Sequence, residues 1–101
     1  MRTNTVSPLH NEDTRDRAWL VNFLNPERNW KTAGEIRYAT GLSPVRIRQL
    51  AQIYPTMLVS SGYGYKLNRN ATQAEKVQCV QSLLHRAETI TARASALAGT
   101  L

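Results

Sequence analysis

Apolar residues in the first half of the chain recur at the spacing of an α-helix. The pattern predicts a first helix from about residue 12 to residue 24. Its apolar face comprises Ala18, Leu20, Val21, Phe23 and Leu24. Glu12, Asp13 and Asp16 fall in the predicted first turn, where the helix dipole favours anions. Asn25-Pro26 ends the helix, and residues 1–11, which lack periodicity, are predicted to be a flexible tail.

Two further helical segments follow, and both carry capping signals. Thr32 and Glu35 have the spacing of a capping box, and Gly41 supplies the left-handed residue that ends such a helix. Ser43-Pro44 then begins a third helix with an N-cap serine and a proline at its first position. The positions predicted to be buried are Ile36 and Ala39 in the second helix and Ile47, Leu50, Ala51 and Tyr54 in the third. Two short helices joined by three residues form a helix-turn-helix.

Residues 57–67 change to strand formers and predict two short strands joined by a glycine-rich turn. The side chains expected to face the helices are Leu58, Tyr65 and Leu67. Lys66 and Tyr63 are expected to face outward. Because an isolated hairpin is marginally stable, this one must pack on the helices.

The segment 70–101 predicts one long helix, from about Thr72 to Leu97, that spans about 40 Å. Its apolar residues alternate spacings of three and four, which defines a heptad seam with a widened flank. The proposed contact residues are Val80, Leu83, Leu84, Ala87, Ile90, Ala94 and Leu97. The widened stripe is also typical of a helix packed within a globular core. Both homodimerisation through this helix and packing within the chain therefore remain open.

Charge is concentrated in the middle of the chain. The 101 residues carry a formal net charge of +6. The segment from Arg28 to Arg69 contains seven basic residues and one acidic residue, a net of +6, while the preceding and following segments carry −1 and +1. Such a positive field suits a polyanion, because neutralised phosphates release counterions. A solvated basic face that aids solubility is the alternative interpretation.

Catalytic and metal chemistry are not indicated. The single cysteine, Cys79, excludes an intrachain disulfide and a cysteine zinc site. No nucleophile triad, phosphate-binding glycine loop or paired carboxylates are found, so we expect no enzymatic activity, no metal and no cofactor. No apolar run is long enough to span a bilayer, and the first residues lack the apolar stretch of a signal peptide. The expected location is the cytoplasm, with association to the nucleoid if DNA is bound.

The order helix, helix-turn-helix and two-stranded hairpin resembles the winged helix-turn-helix family of DNA-binding domains. The resemblance is carried by residues 32–41, 43–50 and 58–67, and covers the chain from about residue 12 to 69. It implies a mainly α fold with a small β-hairpin, extended here by the long C-terminal helix. It further implies that the third helix enters the major groove while the wing tip contacts the backbone or minor groove. The family's first strand has room only near residues 30–32, so a two-stranded sheet is expected.

Candidate DNA contacts follow from this arrangement. The third helix is expected to expose Pro44 and, as contact residues, Val45, Arg46, Arg48, Gln49 and Gln52. Arg46 and Gln49 are the candidates for base reading, because these side chain types form paired hydrogen bonds with guanine and adenine. Backbone contacts are assigned to Arg48, Gln52, Ser43, Lys31, Arg37, Tyr63, Lys66 and Arg69.

The sequence therefore predicts a sequence-specific binder of double-stranded DNA, a dimeric regulator of transcription resembling small regulators of bacteria and phages. The rival hypothesis is a protein adaptor or assembly module, for example in replication, that uses the winged fold and the heptad helix. Structured RNA is a third possible ligand, although major-groove geometry disfavours it.

Overall fold

The protein is described from a computed structural model, which covers the backbone of residues 8–101 and the side chains from residue 12 onward. The described residues are mainly helical, with one two-stranded antiparallel hairpin and a long C-terminal helix. In chain order the elements are α1 Pro8–Leu24, α2 Ala33–Thr40, α3 Pro44–Ile53, β1 Leu58–Ser61, β2 Gly64–Leu67, a 3-10 turn Asn68–Asn70 and α4 Gln73–Ala98. The chain divides into two units, one ending at Ala71 and the other running from Thr72 to Leu101.

Helix α1 begins earlier than the hydrophobic pattern predicts. Pro8 occupies its start, where a missing N–H has no partner to lose, so the expected tail is wrong for residues 8–11. Residues 1–7 of that tail lie outside the described residues. Because the helix begins at Pro8, none of the acidic residues falls in its first turn. Asp13 and Asp16 are instead buried side chains in the body of the helix.

The capping signals of α2 and α3 are confirmed. Thr32 and Glu35 form both hydrogen bonds of the capping box, and Gly41 ends α2 with φ 79°. Ser43 Oγ accepts a hydrogen bond from the Arg46 amide at the start of α3, directly before Pro44. Ala39 is exposed, contrary to expectation, because the short α2 buries one side chain, that of Ile36.

The core of the first unit gathers apolar side chains from all three of its helices, the second strand and the α2–α3 connection. Its buried members are Leu20, Leu24, Ile36, Leu42, Ile47, Leu50 and Leu67. Asn70 supports this core from the 3-10 turn. Its amide nitrogen donates to the carbonyl oxygens of Leu24, Asn25 and Glu27 over 2.9–3.2 Å, which ties the 3-10 turn to the end of α1 and to the residues that follow it.

The hairpin pairs Leu58 with Leu67 and Val59 with Lys66. A single antiparallel bridge, Lys31 to Tyr65, adds a third chain segment beside β2 through two backbone hydrogen bonds of 2.8 and 3.0 Å. This bridge lies where the sequence left room for a short first strand. It ties the hairpin to the segment that precedes α2.

The stability of the α2 cap should depend on pH. The backbone N–H of Thr32 donates to Glu35 over 2.9 Å and is the main reason why the pKa of this carboxyl lies below its ordinary value. A carboxyl whose pKa is lowered on folding contributes stability above its unfolded pKa, and this contribution is lost as pH falls through the lowered value. We expect faster exchange of the Thr32 amide proton on acidification, measured by NMR. Glu35→Gln keeps an acceptor without a titrating charge, so this variant should show a smaller pH response; an equal response would contradict the assignment.

Helix α4 begins with a capping box between Thr72 and Glu75. Of its described side chains none is buried. Its largest apolar residues are between 45% and 67% exposed: Val77, Val80, Leu83, Leu84, Ile90 and Leu97. The long amphipathic helix predicted from the heptad pattern is confirmed, with its apolar stripe facing solvent.

Candidate nucleic-acid interface

The position of helix α3 is fixed by its buried side chains and by the cap at its N-terminus. Ile47 and Leu50 are fully buried, which sets the face that α3 turns away from solvent. The Ser43 hydroxyl accepts from the backbone N–H of Arg46 over 3.1 Å. A hydroxyl that accepts in this way retains its own proton for donation, so Ser43 is still able to contact a phosphate oxygen.

The Arg46 side chain lies between two carboxylates of α1. Its Nη2 donates to Asp13 Oδ1 over 2.5 Å and its Nε to Asp16 Oδ2 over 2.8 Å. The side chains of Arg46, Asp13 and Asp16 are only 17%, 11% and 7% exposed. The expectation that Arg46 is exposed on α3 is therefore wrong. Base reading by its guanidinium would require these two ion pairs to break.

Asp16, and then Asp13, raise the pKa of the Arg46 guanidinium by accepting hydrogen bonds from it. Since the shift is upward from an already basic group, the Arg46 guanidinium stays charged at every pH below the ordinary pKa of arginine. The acidic N-terminal segment and the basic middle of the chain thus meet in space. Their interaction links α1 to α3 and removes one cation from the accessible surface.

Lys66 also differs from expectation. It is 7% exposed, and its ammonium lies 4.7 Å from the centroid of the Trp30 ring. A lysine at this distance over an aromatic face gains a cation–π interaction while its aliphatic stem is buried. Val59, its register partner on β1, is buried as well. The strand face predicted to be outward is therefore buried, and Lys66 is not exposed on the surface of the hairpin.

The remaining candidates on α3 are exposed as expected. Val45, Arg48, Gln49 and Gln52 all lie on its solvent face. Gln49 Oε1 accepts a hydrogen bond of 3.4 Å from Arg46 Nη1, so the half-buried guanidinium also contacts the exposed glutamine. This contact joins Gln49 to the ion pairs between Arg46 and α1.

The candidate contact residues outside α3 fall into two groups, those that are exposed and those that already contact other side chains. Arg37, Tyr63 and Arg69 are exposed. Lys31 is half-buried, with its ammonium 3.3 Å from Glu27 and 3.9 Å from Glu35. Of the seven basic residues between positions 28 and 69, three are thus engaged by other side chains. Four are exposed and lie outside the ion pairs found among the described residues: Arg28, Arg37, Arg48 and Arg69.

One surface residue was missed by the sequence reasoning. Tyr38 on α2 is 95% exposed and lies beside Arg37. The helical period carries the signal, because Tyr38 follows the buried Ile36 by two residues and so points away from the core. An exposed tyrosine hydroxyl is a suitable donor for a phosphate contact.

Comparison with family models, curated proteins and solved structures finds no match. Among the described residues, no group of three or more His, Cys, Asp or Glu side chains is placed to hold a metal ion. In the same part of the chain, no helix has both the length and the apolar character required to cross a membrane.

Proposed function

We propose that this chain binds double-stranded DNA as a winged helix-turn-helix protein, with α3 in the major groove. The observation that carries the proposal is the solvent face of α3, which displays Val45, Arg48, Gln49 and Gln52 while Ile47 and Leu50 anchor its opposite side. Polar and small apolar side chains on a short, anchored helix match the requirements for reading base edges.

The Asp13–Arg46–Asp16 cluster supports this proposal in a way that the sequence alone did not indicate. Two hydrogen-bonded ion pairs hold α3 against α1 in the absence of a ligand. A recognition helix that is fixed in advance loses less conformational entropy on binding. Arg46 therefore acts here as a positioning residue behind Gln49.

The proposed roles are as follows. Gln49 reads a base, and Val45 makes an apolar contact such as that with a thymine methyl group. Phosphate and sugar contacts come from the half-buried Ser43 and from exposed polar groups around this helix: Arg48, Gln52, Arg37, Arg69 and Tyr63. Lys31 would contribute only if it exchanged its glutamate partners for a phosphate. Exposed arginines dominate this set, so binding should depend strongly on salt.

The biological role that fits such binding is regulation of transcription in a bacterial or phage setting, by a dimer. A two-fold dimer would recognise two half-sites related by the same symmetry. Selection of bound duplexes from a random pool tests this directly. Recovered sites should contain an inverted repeat, and a pool without enrichment would overturn the proposal.

Two variants separate the roles of neighbouring residues on α3. Gln49→Ala should reduce discrimination at one base pair by about 1–3 kcal/mol, whereas Arg48→Ala should weaken specific and random duplexes alike. The Arg48 variant should also reduce the slope of log K against log salt by about 1. Fluorescence anisotropy with selected and scrambled duplexes at several salt concentrations provides both readouts. An equal loss on both duplexes for both variants would contradict the assignment.

A protein adaptor is the second candidate function, and one observation favours it. The apolar stripe of α4 is exposed and long enough to dock a partner. Duplex binding that is absent even at low salt would favour this candidate over DNA recognition.

A further inference from the structure

The seam of α4 alternates large and small side chains along the helix. In the heptad of this helix, the a positions are Val80, Ala87 and Ala94, and the d positions are Leu83, Ile90 and Leu97. The four larger residues of this set are exposed by half or more of their area. A partner that covers this seam must therefore present side chains of complementary size.

A second copy aligned in parallel would not supply that complement. In a parallel pair each layer contains two copies of the same residue. Ala87 would face Ala87 and Ala94 would face Ala94, while Leu83 and Ile90 would each face themselves. Narrow and wide layers would alternate, although two packed helices keep a single separation set by the side chains between them.

A second copy aligned antiparallel presents a side chain of complementary size at every layer. Of the alignments in which a positions face d positions, the one that pairs all six seam residues with one another has its centre between Glu88 and Thr89. The layers then match Val80 with Leu97, Leu83 with Ala94, and Ala87 with Ile90, each pairing occurring twice. Every alanine meets a leucine or an isoleucine, so the width of the seam is even along its length.

The antiparallel arrangement also determines which flanking residues meet beside the seam. Reversing one helix brings like flanks together, so e positions meet e positions. Val77 then lies beside Ala98 and Leu84 beside Thr91, which covers the widened part of the apolar stripe. On the opposite flank Arg86 lies near Arg93 of the other copy. These exposed like charges weaken the pair only slightly, because solvent and salt screen them.

We infer that α4 is an antiparallel self-association surface whose partner is a second copy of this chain. This inference deepens the dimer of the proposed function and rests on it, but it does not depend on DNA binding. The layer matching and the meeting of the two mainly apolar flanks favour a second copy over an unrelated partner. Salt should strengthen this association by screening the arginines, whereas it weakens DNA binding.

The single native cysteine provides the test of orientation in the full-length chain. A spin label on Cys79 would lie about 28 Å along the helix from its counterpart in the antiparallel pair, but at the same level in a parallel pair. Pulsed electron paramagnetic resonance should therefore give a distance near 30 Å. Thr89→Cys in a Cys79→Ser background places the label at nearly one level in both orientations and serves as the control.

The outcomes separate the inference from the proposed function. A dimer with a Cys79 distance below about 20 Å would overturn the antiparallel arrangement and leave the dimer intact. A monomer at all concentrations in analytical ultracentrifugation would overturn both the dimer and this inference, without affecting DNA binding by a single unit.

A charge reversal gives a second test that does not require labelling. Arg93→Glu would place a carboxylate beside Arg86 of the other copy, at two equivalent places in the antiparallel dimer. The dissociation constant should fall by roughly two- to tenfold at low salt. Adding Arg86→Glu restores like charges and should remove the gain. An unchanged dissociation constant in Arg93→Glu alone would overturn the inference, because in a parallel pair position 93 lies beside the uncharged Ala98.

Discussion

We expect Arg46→Met to lower the free energy of unfolding by about 3 kcal/mol, because it removes the cation that the poorly solvated Asp13 and Asp16 share. Asp16 then keeps its contact with the exposed Arg15, whose Nε lies 3.3 Å away. Asp13 and Asp16 both lie within hydrogen-bond distance of the guanidinium, and their side chains are almost fully covered. Methionine retains most of the aliphatic volume, so the loss reports the charge rather than a cavity. Urea denaturation followed by circular dichroism measures it.

Arg48→Met is the matched control for this experiment. It removes the same side chain type two positions along α3, where the residue is exposed and outside the ion pairs of the described chain. Its effect on stability should remain within about 0.5 kcal/mol. Adding Asp13→Asn and Asp16→Asn to Arg46→Met should recover part of the loss, since the uncompensated charges are then absent. Equal stability of the two methionine variants would show that Arg46 is not held by α1 in solution.

Local signals in the sequence were sufficient to predict most of the fold. Thr32 with Glu35, Gly41, and Ser43 with Pro44 each determine a helix end through hydrogen bonds or backbone preferences that span four residues or fewer. The hairpin followed from its strand formers and its glycine-rich turn. These features depend on near neighbours along the chain, which is why they are readable without the fold.

The state of individual site residues was not predictable in the same way. Arg46 meets carboxylates 30 and 33 positions away, and Lys66 meets the Trp30 ring, 36 positions away. Local reasoning assigned Asp13 and Asp16 to a helix dipole, although they serve as long-range partners. Whether a charged side chain on a helix or strand is exposed depends on what packs over it, and no spacing rule supplies that information.

The candidate interface therefore stays on α3 but has fewer exposed basic residues than the sequence predicts. Arg46 and Lys66 serve the stability of the domain, while Arg48 and Gln49 retain the exposure that contact with a duplex requires. Tyr38 joins them as a surface residue that the pattern of α2 could have indicated. A concentration of positive charge along the chain is thus a poor measure of accessible positive charge when acidic residues lie nearby in space.

Gly64→Ala is expected to lower the free energy of unfolding by about 3 kcal/mol, for a reason that lies in the backbone. Gly64 has φ 128°, which side chains other than glycine rarely adopt. A Cβ atom at this position would lie 2.2 Å from the carbonyl oxygen of Lys31 and 2.9 Å from the amide nitrogen of Thr32. Because these are backbone atoms, relief of the clash requires the Lys31–Tyr65 bridge to open and both of its hydrogen bonds to weaken.

Gly62→Ala isolates this effect within the same turn. A Cβ atom at Gly62 meets nothing within 4 Å, and its φ is not positive, so alanine there should change stability by less than about 0.5 kcal/mol. Hydrogen exchange of the Lys31 and Tyr65 amides should accelerate in the Gly64 variant alone. If both alanine variants exchange like the parent protein, the bridge does not hold the hairpin. If only Gly64→Ala opens it, the proposed duplex binding predicts a loss of affinity through displacement of Tyr63, without a change in the base discrimination proposed for Gln49.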